Sequence, residues 1–185
     1  MNNEPLLLRY GKQFLLDNPN IVSLRKQFTY DIDIDADNPI VSNARILEFI
    51  HLTFPEIEFK NEHTQIIYKS IPEKGLNWHI DDCQIVFLNH MPSYNRECYK
   101  VISTENRKKY LYFNPRTPSK APSRYTLLFY CSTQGIDFEG GELCLADGMK
   151  IIPVKGEGVL MDSREVHMVT PIKSGLRKIV LVKIY

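Results

Sequence analysis

The chain has only one tryptophan and four cysteines, with no CxxC pair among them, and no apolar run long enough to span a bilayer. Each shortage excludes something. Cys83, Cys98, Cys131 and Cys144 are scattered, so neither a zinc knuckle nor a disulfide framework is indicated, and all four are read as reduced thiols. Leu6 to Leu8 is far too short for a signal-peptide core, and Met1-Asn2-Asn3-Glu4 has no basic residues of the kind that precede one. The expectation is an intracellular, cytoplasmic protein with no membrane partner. Internal repeats and low-complexity tracts are also missing.

What is present is ordinary in bulk. With 185 residues, 43% of them hydrophobic and 24% charged, the chain suits one soluble domain, residues 1–185, closed around a single core. The net charge is +1, yet eight Lys or Arg against two Glu lie between His90 and Arg124, so the remainder is acidic. That basic segment is a feature in its own right.

Residues 1–63 read as a mostly helical part, clearest from Ser42 to Thr53, where Ile46, Leu47, Phe49, Ile50 and Leu52 form a broad apolar face. Ser42 is the expected N-cap and Pro55 the stop. From residue 64 the texture changes to short runs rich in Ile, Val, Leu, Tyr and Phe. These predict strands at Gln65–Ile71, Gln84–Leu88, Tyr125–Tyr130, Glu142–Leu145, Gly158–Met161 and Lys178–Tyr185. Gly75, Gly140-Gly141, Gly148, Gly156 and Ser174-Gly175 separate many of them, a spacing that suits a sandwich or barrel. The simplest architecture is mainly β, a jelly roll with N-terminal helices packed on it. In the last strand Leu176, Val180, Val182 and Ile184 face one way, and Arg177, Ile179 and Leu181 the other. Both faces are largely apolar, so this strand belongs inside the fold.

Three elements carry chemistry. His79-Ile80-Asp81 places an imidazole and a carboxylate two residues apart, on one face of an extended strand, which suits a metal with mixed nitrogen and oxygen ligands. His167 follows an apolar strand and a polar corner at Asp162-Ser163, and offers a third ligand from elsewhere in the fold. Taken singly, surface residues for the first pair and a core histidine for His167 are the plainer readings. Arg177 lies ten residues on, across an expected turn from Pro171 to Gly175. A permanent charge on an apolar face needs an anion, and its planar fork matches a carboxylate, either of a bound diacid or of an internal Asp or Glu.

The order of these pieces, with Leu127-Leu128-Phe129-Tyr130, Phe138-Glu139-Gly140-Gly141-Glu142-Leu143 and Gly175-Leu176-Arg177 between and after them, resembles the prolyl 4-hydroxylase branch of the Fe(II)/2-oxoglutarate-dependent dioxygenase superfamily. The likeness covers about residues 64 to 185. It implies a double-stranded β-helix, iron(II) held by His79, Asp81 and His167, and the distal carboxylate of 2-oxoglutarate on Arg177. Tyr130 falls where relatives place a hydroxyl on that carboxylate, with Tyr68 as a second candidate; core aromatics are the alternative for both. It also implies hydroxylation of an unactivated C–H bond with release of succinate and CO2, on a prolyl or other side chain of a protein or peptide. Ascorbate is an optional addition to the cofactors.

One departure puts the substrate in doubt. About forty residues separate Asp81 from Tyr125, including the basic run 106–116 within an insertion at about 90–122. This segment is either a substrate lid gripping an acidic partner, with nucleic acid also open, or a solvated loop with a short hairpin. Asp31, Asp33, Asp35 and Asp37 alternate with Ile32, Ile34 and Ala36. Ala36 and Ser42 stand where a calcium loop needs Gly and Glu, so an exposed edge strand is expected instead. Cys83 would share a face with His79 and Asp81 if their strand continued. Readings from other classes are a cupin-like binding domain that keeps the metal without turnover, and a metal-dependent hydrolase. Neither gives Arg177 a task.

Overall fold

The computed structural model describes residues 8, 12, 25–72, 75–81, 83–87, 99–103, 109–113, 123–163 and 165–185, with 71–72, 83–87, 99–103 and 109–113 described as backbone. In chain order its elements are β1 (Lys26–Thr29), α1 (Pro39–Thr53), a one-turn 3-10 helix (Asn61–His63), β2 (Thr64–Pro72), β3 (Leu76–His79), β4 (Cys83–Phe87), β5 (Tyr99–Ser103), β6 (Lys109–Phe113), β7 (Tyr125–Tyr130), β8 (Phe138–Gly140), β9 (Leu143–Leu145), β10 (Lys150–Ile151), β11 (Glu157–Asp162), β12 (His167–Val169) and β13 (Ile172–Ile184).

Two antiparallel sheets make the body. The larger runs β1-β11-β7-β13-β2, with β8 paired to the start of β13, and the smaller runs β10-β9-β12-β3. Alternation along single strands decides how they stack. In β7, Leu127 and Phe129 point to one side and Leu128 and Tyr130 to the other, as the two-residue period of a strand requires. The first pair joins Val180, Val182 and Ile184 of β13 beneath Ile46 and Ile50 of α1. The second joins Ile179 and Leu181 of β13 with Leu143, Leu145 and Val169 of the smaller sheet. The larger sheet is therefore buried on both faces, by a helix outside and a sheet inside. This is the jelly roll with helical cover that the apolar patterning predicts, and the double-stranded β-helix that the family resemblance implies. The two-faced reading of β13 holds for Val180, Val182 and Ile184 against Ile179 and Leu181, whereas Leu176 is exposed; β13 is central, paired with both β2 and β7.

Several local expectations change. The helix starts at Pro39, so Ser42 is not its cap. The Ser42 hydroxyl instead accepts from the Asp35 amide at 2.9 Å and donates to the Asp35 carbonyl at 2.9 Å, tying the preceding loop to the first turn. Proline at the helix start explains the early boundary, since its fixed φ suits the first turn and its missing N–H is not needed there. The described part of the N-terminal region also contributes β1, which pairs with β11, a strand that its short polar sequence KQFT does not announce. Asp31 to Asp35 does not form an edge strand; it runs without a ladder into a turn at residues 36–37. The expected turn from Pro171 to Gly175 is absorbed into β13 as a register shift against β8, with Gly175 at φ 78°.

The two described strands of the insertion, β5 and β6, join β4, which precedes it, in a separate three-stranded antiparallel sheet of order β4-β6-β5. The expected short hairpin corresponds to β5 and β6. The remainder of the basic run, including Arg107, Lys108 and Arg116, lies outside the described residues.

Candidate active site

His79 and His167 stand opposite one another in the register of β3 and β12, with ring centroids 4.2 Å apart. Each ring is fixed by a backbone carbonyl two residues earlier, His79 Nδ1 on Asn77 O at 2.7 Å and His167 Nδ1 on Glu165 O at 2.8 Å. A carbonyl only accepts, so Nδ1 carries the proton in both rings and Nε2 presents its lone pair. Burial, and then the neighbouring His167, pull His79 down to about 4, and burial likewise lowers His167. Both imidazoles are therefore neutral near pH 7, the state a metal ligand needs.

Asp81 does not continue β3 as expected. The strand ends at His79, and the carboxylate sits in the turn that follows, while Ile80 is buried. Cys83 accordingly opens β4 in the third sheet and does not extend the ligand strand. Burial alone would raise the Asp81 carboxyl, but His167, Lys183, the Thr126 hydroxyl and His79 together hold it below the usual range. His79, Asp81 and His167 each offer a ligand atom within 4.8 Å of the others, a set that could hold a metal ion. Two imidazoles and one carboxylate on one side of an ion leave its other positions open.

The same cavity is lined by Arg177, Leu128, Met161, Ile179 and Leu181. Arg177 is only 1% exposed, and among the described residues its Nε and Nη2 have no hydrogen-bond partner. The Tyr130 hydroxyl also has no partner among the described residues, and the Arg177 guanidinium carbon lies 5.7 Å from the Tyr130 ring centroid. Burial pushes Tyr130 up to about 12 against the opposing pull of Arg177, so it remains a neutral donor. A buried guanidinium without an anion is costly, and native interiors rarely leave one so. Gly141 makes room for it: its φ is 74°, and an added Cβ would lie 3.0 Å from Arg177 Cδ and 2.8 Å from the Phe138 ring.

Tyr68 goes elsewhere. It stands opposite Val180 on the helix-facing side of β2, and its hydroxyl donates to Asn43 Oδ1 at 2.9 Å. Tyr68 does not line the cavity, so its place supports the core alternative. Residues that local patterning misses line or brace the site. Lys69, one residue on, lines the cavity. Thr126 and Lys183 meet Asp81 from across the sheet. Arg25 pairs with Glu165, whose carbonyl holds His167, through Nε to Oε2 at 3.1 Å and through Nη2 to Oε1. Arg25 also reaches Asp147 at 2.7 Å. For Lys69, Thr126 and Lys183 the only sequence signal was a charge or hydroxyl on an otherwise apolar strand face, and Arg25, which precedes β1, has none.

A double-stranded β-helix with a mixed nitrogen and oxygen ligand set beside a buried, unpaired cation defines a metal-dependent oxygenase that takes an anionic co-substrate. The chain belongs to the 2OG-Fe(II) oxygenase superfamily, whose sequence model matches residues 66–185. Iron(II) and 2-oxoglutarate are thus its metal and co-substrate, and the protein is a 2-oxoglutarate-dependent dioxygenase. The residues fit both: neutral Nε2 atoms and a carboxylate for iron, and orphaned donors of Arg177 and Tyr130 for a carboxylate. No curated protein matches the chain. Among solved structures it is similar to a viral collagen prolyl hydroxylase of Paramecium bursaria Chlorella virus-1 in complex with 2OG, at 13% identity and TM-score 0.46, covering 96% of this chain and 90% of that one. It is also similar to a Pseudomonas putida prolyl-4-hydroxylase, at 16% identity and TM-score 0.44, covering 97% and 82%. A Burkholderia pseudomallei oxidoreductase of the 2OG-Fe(II) oxygenase family gives 11% identity and TM-score 0.43, covering 98% and 91%. Among the described residues, no helix is long and apolar enough to cross a membrane.

Proposed function

We propose that the protein hydroxylates a prolyl or other side chain of a protein or peptide, with iron(II) on His79, Asp81 and His167 and the distal carboxylate of 2-oxoglutarate on Arg177 and Tyr130. The observation that carries this reading is the orphaned guanidinium of Arg177 in the cavity wall that also bears the three ligand residues, with the orphaned Tyr130 hydroxyl on the ring beside it. The peptide substrate rests on the order of the motifs from His79 to Arg177, which is that of prolyl 4-hydroxylases.

When bound, iron and 2-oxoglutarate would, with dioxygen as the oxidant, supply the chemistry that places one oxygen atom as a hydroxyl on a C–H bond and the other in the succinate released with CO2. The chain's own contribution is binding and shielding. Arg177 and Tyr130 fix one end of the diacid by charged and neutral hydrogen bonds. The backbone carbonyls of Asn77 and Glu165 hold the two imidazoles in one tautomer. Leu128, Leu143, Met161, Ile179 and Leu181 keep water from the space between.

Anaerobic addition of 2-oxoglutarate to the iron-loaded protein should produce a visible metal-to-ligand charge-transfer band. Proline-containing peptides should then speed succinate release under air. Absence of the band would sink the co-substrate assignment. A band with no response to any peptide would redirect the search to nucleic acids or free metabolites.

A further inference from the structure

Asp81 is held by the protein at both oxygens. Its Oδ2 accepts from the Thr126 hydroxyl at 2.6 Å, and its Oδ1 lies 3.7 Å from Lys183 Nζ. Thr126 and Lys183 are direct cross-strand partners on β7 and β13, and both are buried. Behind them the Ser163 hydroxyl, also buried, lies 2.9 Å from the Thr126 hydroxyl. Thr126 has one proton and gives it to Asp81, so Ser163 must be the donor in the second contact. The result is a chain of donors, Ser163 to Thr126 to Asp81, each polarising the next. Lys183 is different. At 3.7 Å it is outside ordinary hydrogen-bond distance, so it acts on the carboxylate as a buried charge.

From this geometry we infer that Thr126, backed by Ser163, and Lys183 are positioning residues of the metal centre: the hydroxyl pair locks one Asp81 oxygen away from the ion, and the ammonium tunes the charge around the open positions. The inference rests on the proposed role of the triad as the metal site. Locking Oδ2 leaves Oδ1 for the ion, so the carboxylate occupies one coordination position and does not spread onto a second. A lysine beside the ligand repels a divalent cation but attracts the anion that must join it. Removing its charge therefore moves the two affinities in opposite directions, which mere loss of packing does not do.

The test uses the full-length protein with Co(II), whose visible spectrum reports its ligand geometry. Lys183→Met keeps the length and apolar body of the side chain. It should strengthen Co(II) binding and weaken 2-oxoglutarate binding to the Co(II) protein, each by about three- to tenfold, and Lys183→Arg should restore both. Thr126→Val keeps the shape but not the donor and should alter the Co(II) spectrum, whereas Thr126→Ser should reproduce the wild type. If Thr126→Val does not fold, Ser163→Ala takes its place, with a smaller spectral change in the same direction. Affinities that fall together or stay unchanged in Lys183→Met overturn the charge role. A wild-type Co(II) spectrum in Thr126→Val, or in Ser163→Ala as its substitute, overturns the lock. Should wild-type Co(II) protein ignore 2-oxoglutarate, the proposed function fails separately. The metal affinity of Lys183→Met then decides the charge role by itself, a rise supporting it and no rise overturning it.

Discussion

Arg177 is expensive for the protein in isolation, because its guanidinium is desolvated and two of its nitrogens have no partner among the described residues. Arg177→Met should therefore weaken 2-oxoglutarate binding by roughly ten- to a hundredfold, equivalent to about 1.5–3 kcal/mol for a charged hydrogen bond. The same change should raise the melting temperature of the ligand-free protein, since an apolar side chain of similar length replaces an unpaired buried cation. Calorimetry with and without 2-oxoglutarate reads both effects, and a lower melting temperature would show that Arg177 has an internal partner. Gly141 tests the same cradle from its other wall. Gly141→Ala forces a left-handed residue and a close contact, and should destabilise by about 1–2 kcal/mol in denaturant titration while also weakening the diacid. Among single residues, the triad and Arg177 were legible because each sits in a local pattern. Thr126, Lys183 and Arg25 were not, because their partners lie at least 45 residues away and only strand register brings them together.

At the scale of elements, the second half of β13 was legible because both its faces are apolar, while its first half was read as a turn because Pro171 and Gly175 bracket it. The start of α1 was misjudged because Ser42 has the chemistry of a cap, yet here it serves the Asp35 backbone from within the first turns. β1 was invisible because a four-residue strand with exposed polar positions has no periodicity to detect. Its neighbour Arg25 nonetheless braces the segment leading to β12. The Arg25 and Glu165 side chains are 7% and 2% exposed, so removing one leaves the other charge buried. Arg25→Met should cost about 3–5 kcal/mol in stability. It should also weaken metal binding, because the Glu165 carbonyl that holds His167 loses its anchor. Metal affinity measured under native conditions separates the two effects, and unchanged affinity would confine Arg25 to a purely structural part.

For the whole molecule, the match to the superfamily begins at residue 66, but the fold does not. A fragment of residues 64–185 would lose β1 and α1 and uncover Leu127, Phe129, Leu160, Val180 and Val182 together. Such a contiguous apolar face drives aggregation, so the fragment should be insoluble or bind a hydrophobic dye strongly where the full chain does not. A soluble, cooperatively melting fragment would show that the outer layer is dispensable. The division of the site between the sheets has a different consequence. His79 and His167 belong to the smaller sheet, and Arg177 and Tyr130 to the larger. Iron and 2-oxoglutarate bound together would then act as a rivet through both layers, and ligand saturation becomes a mechanical property of the barrel. At a hundred times the dissociation constant, such a rivet adds about 2.7 kcal/mol to stability. Hydrogen exchange should slow most at β3 and β12, whose short ladders gain a second attachment, and least at β1, which lies on the edge of the larger sheet away from the rivet.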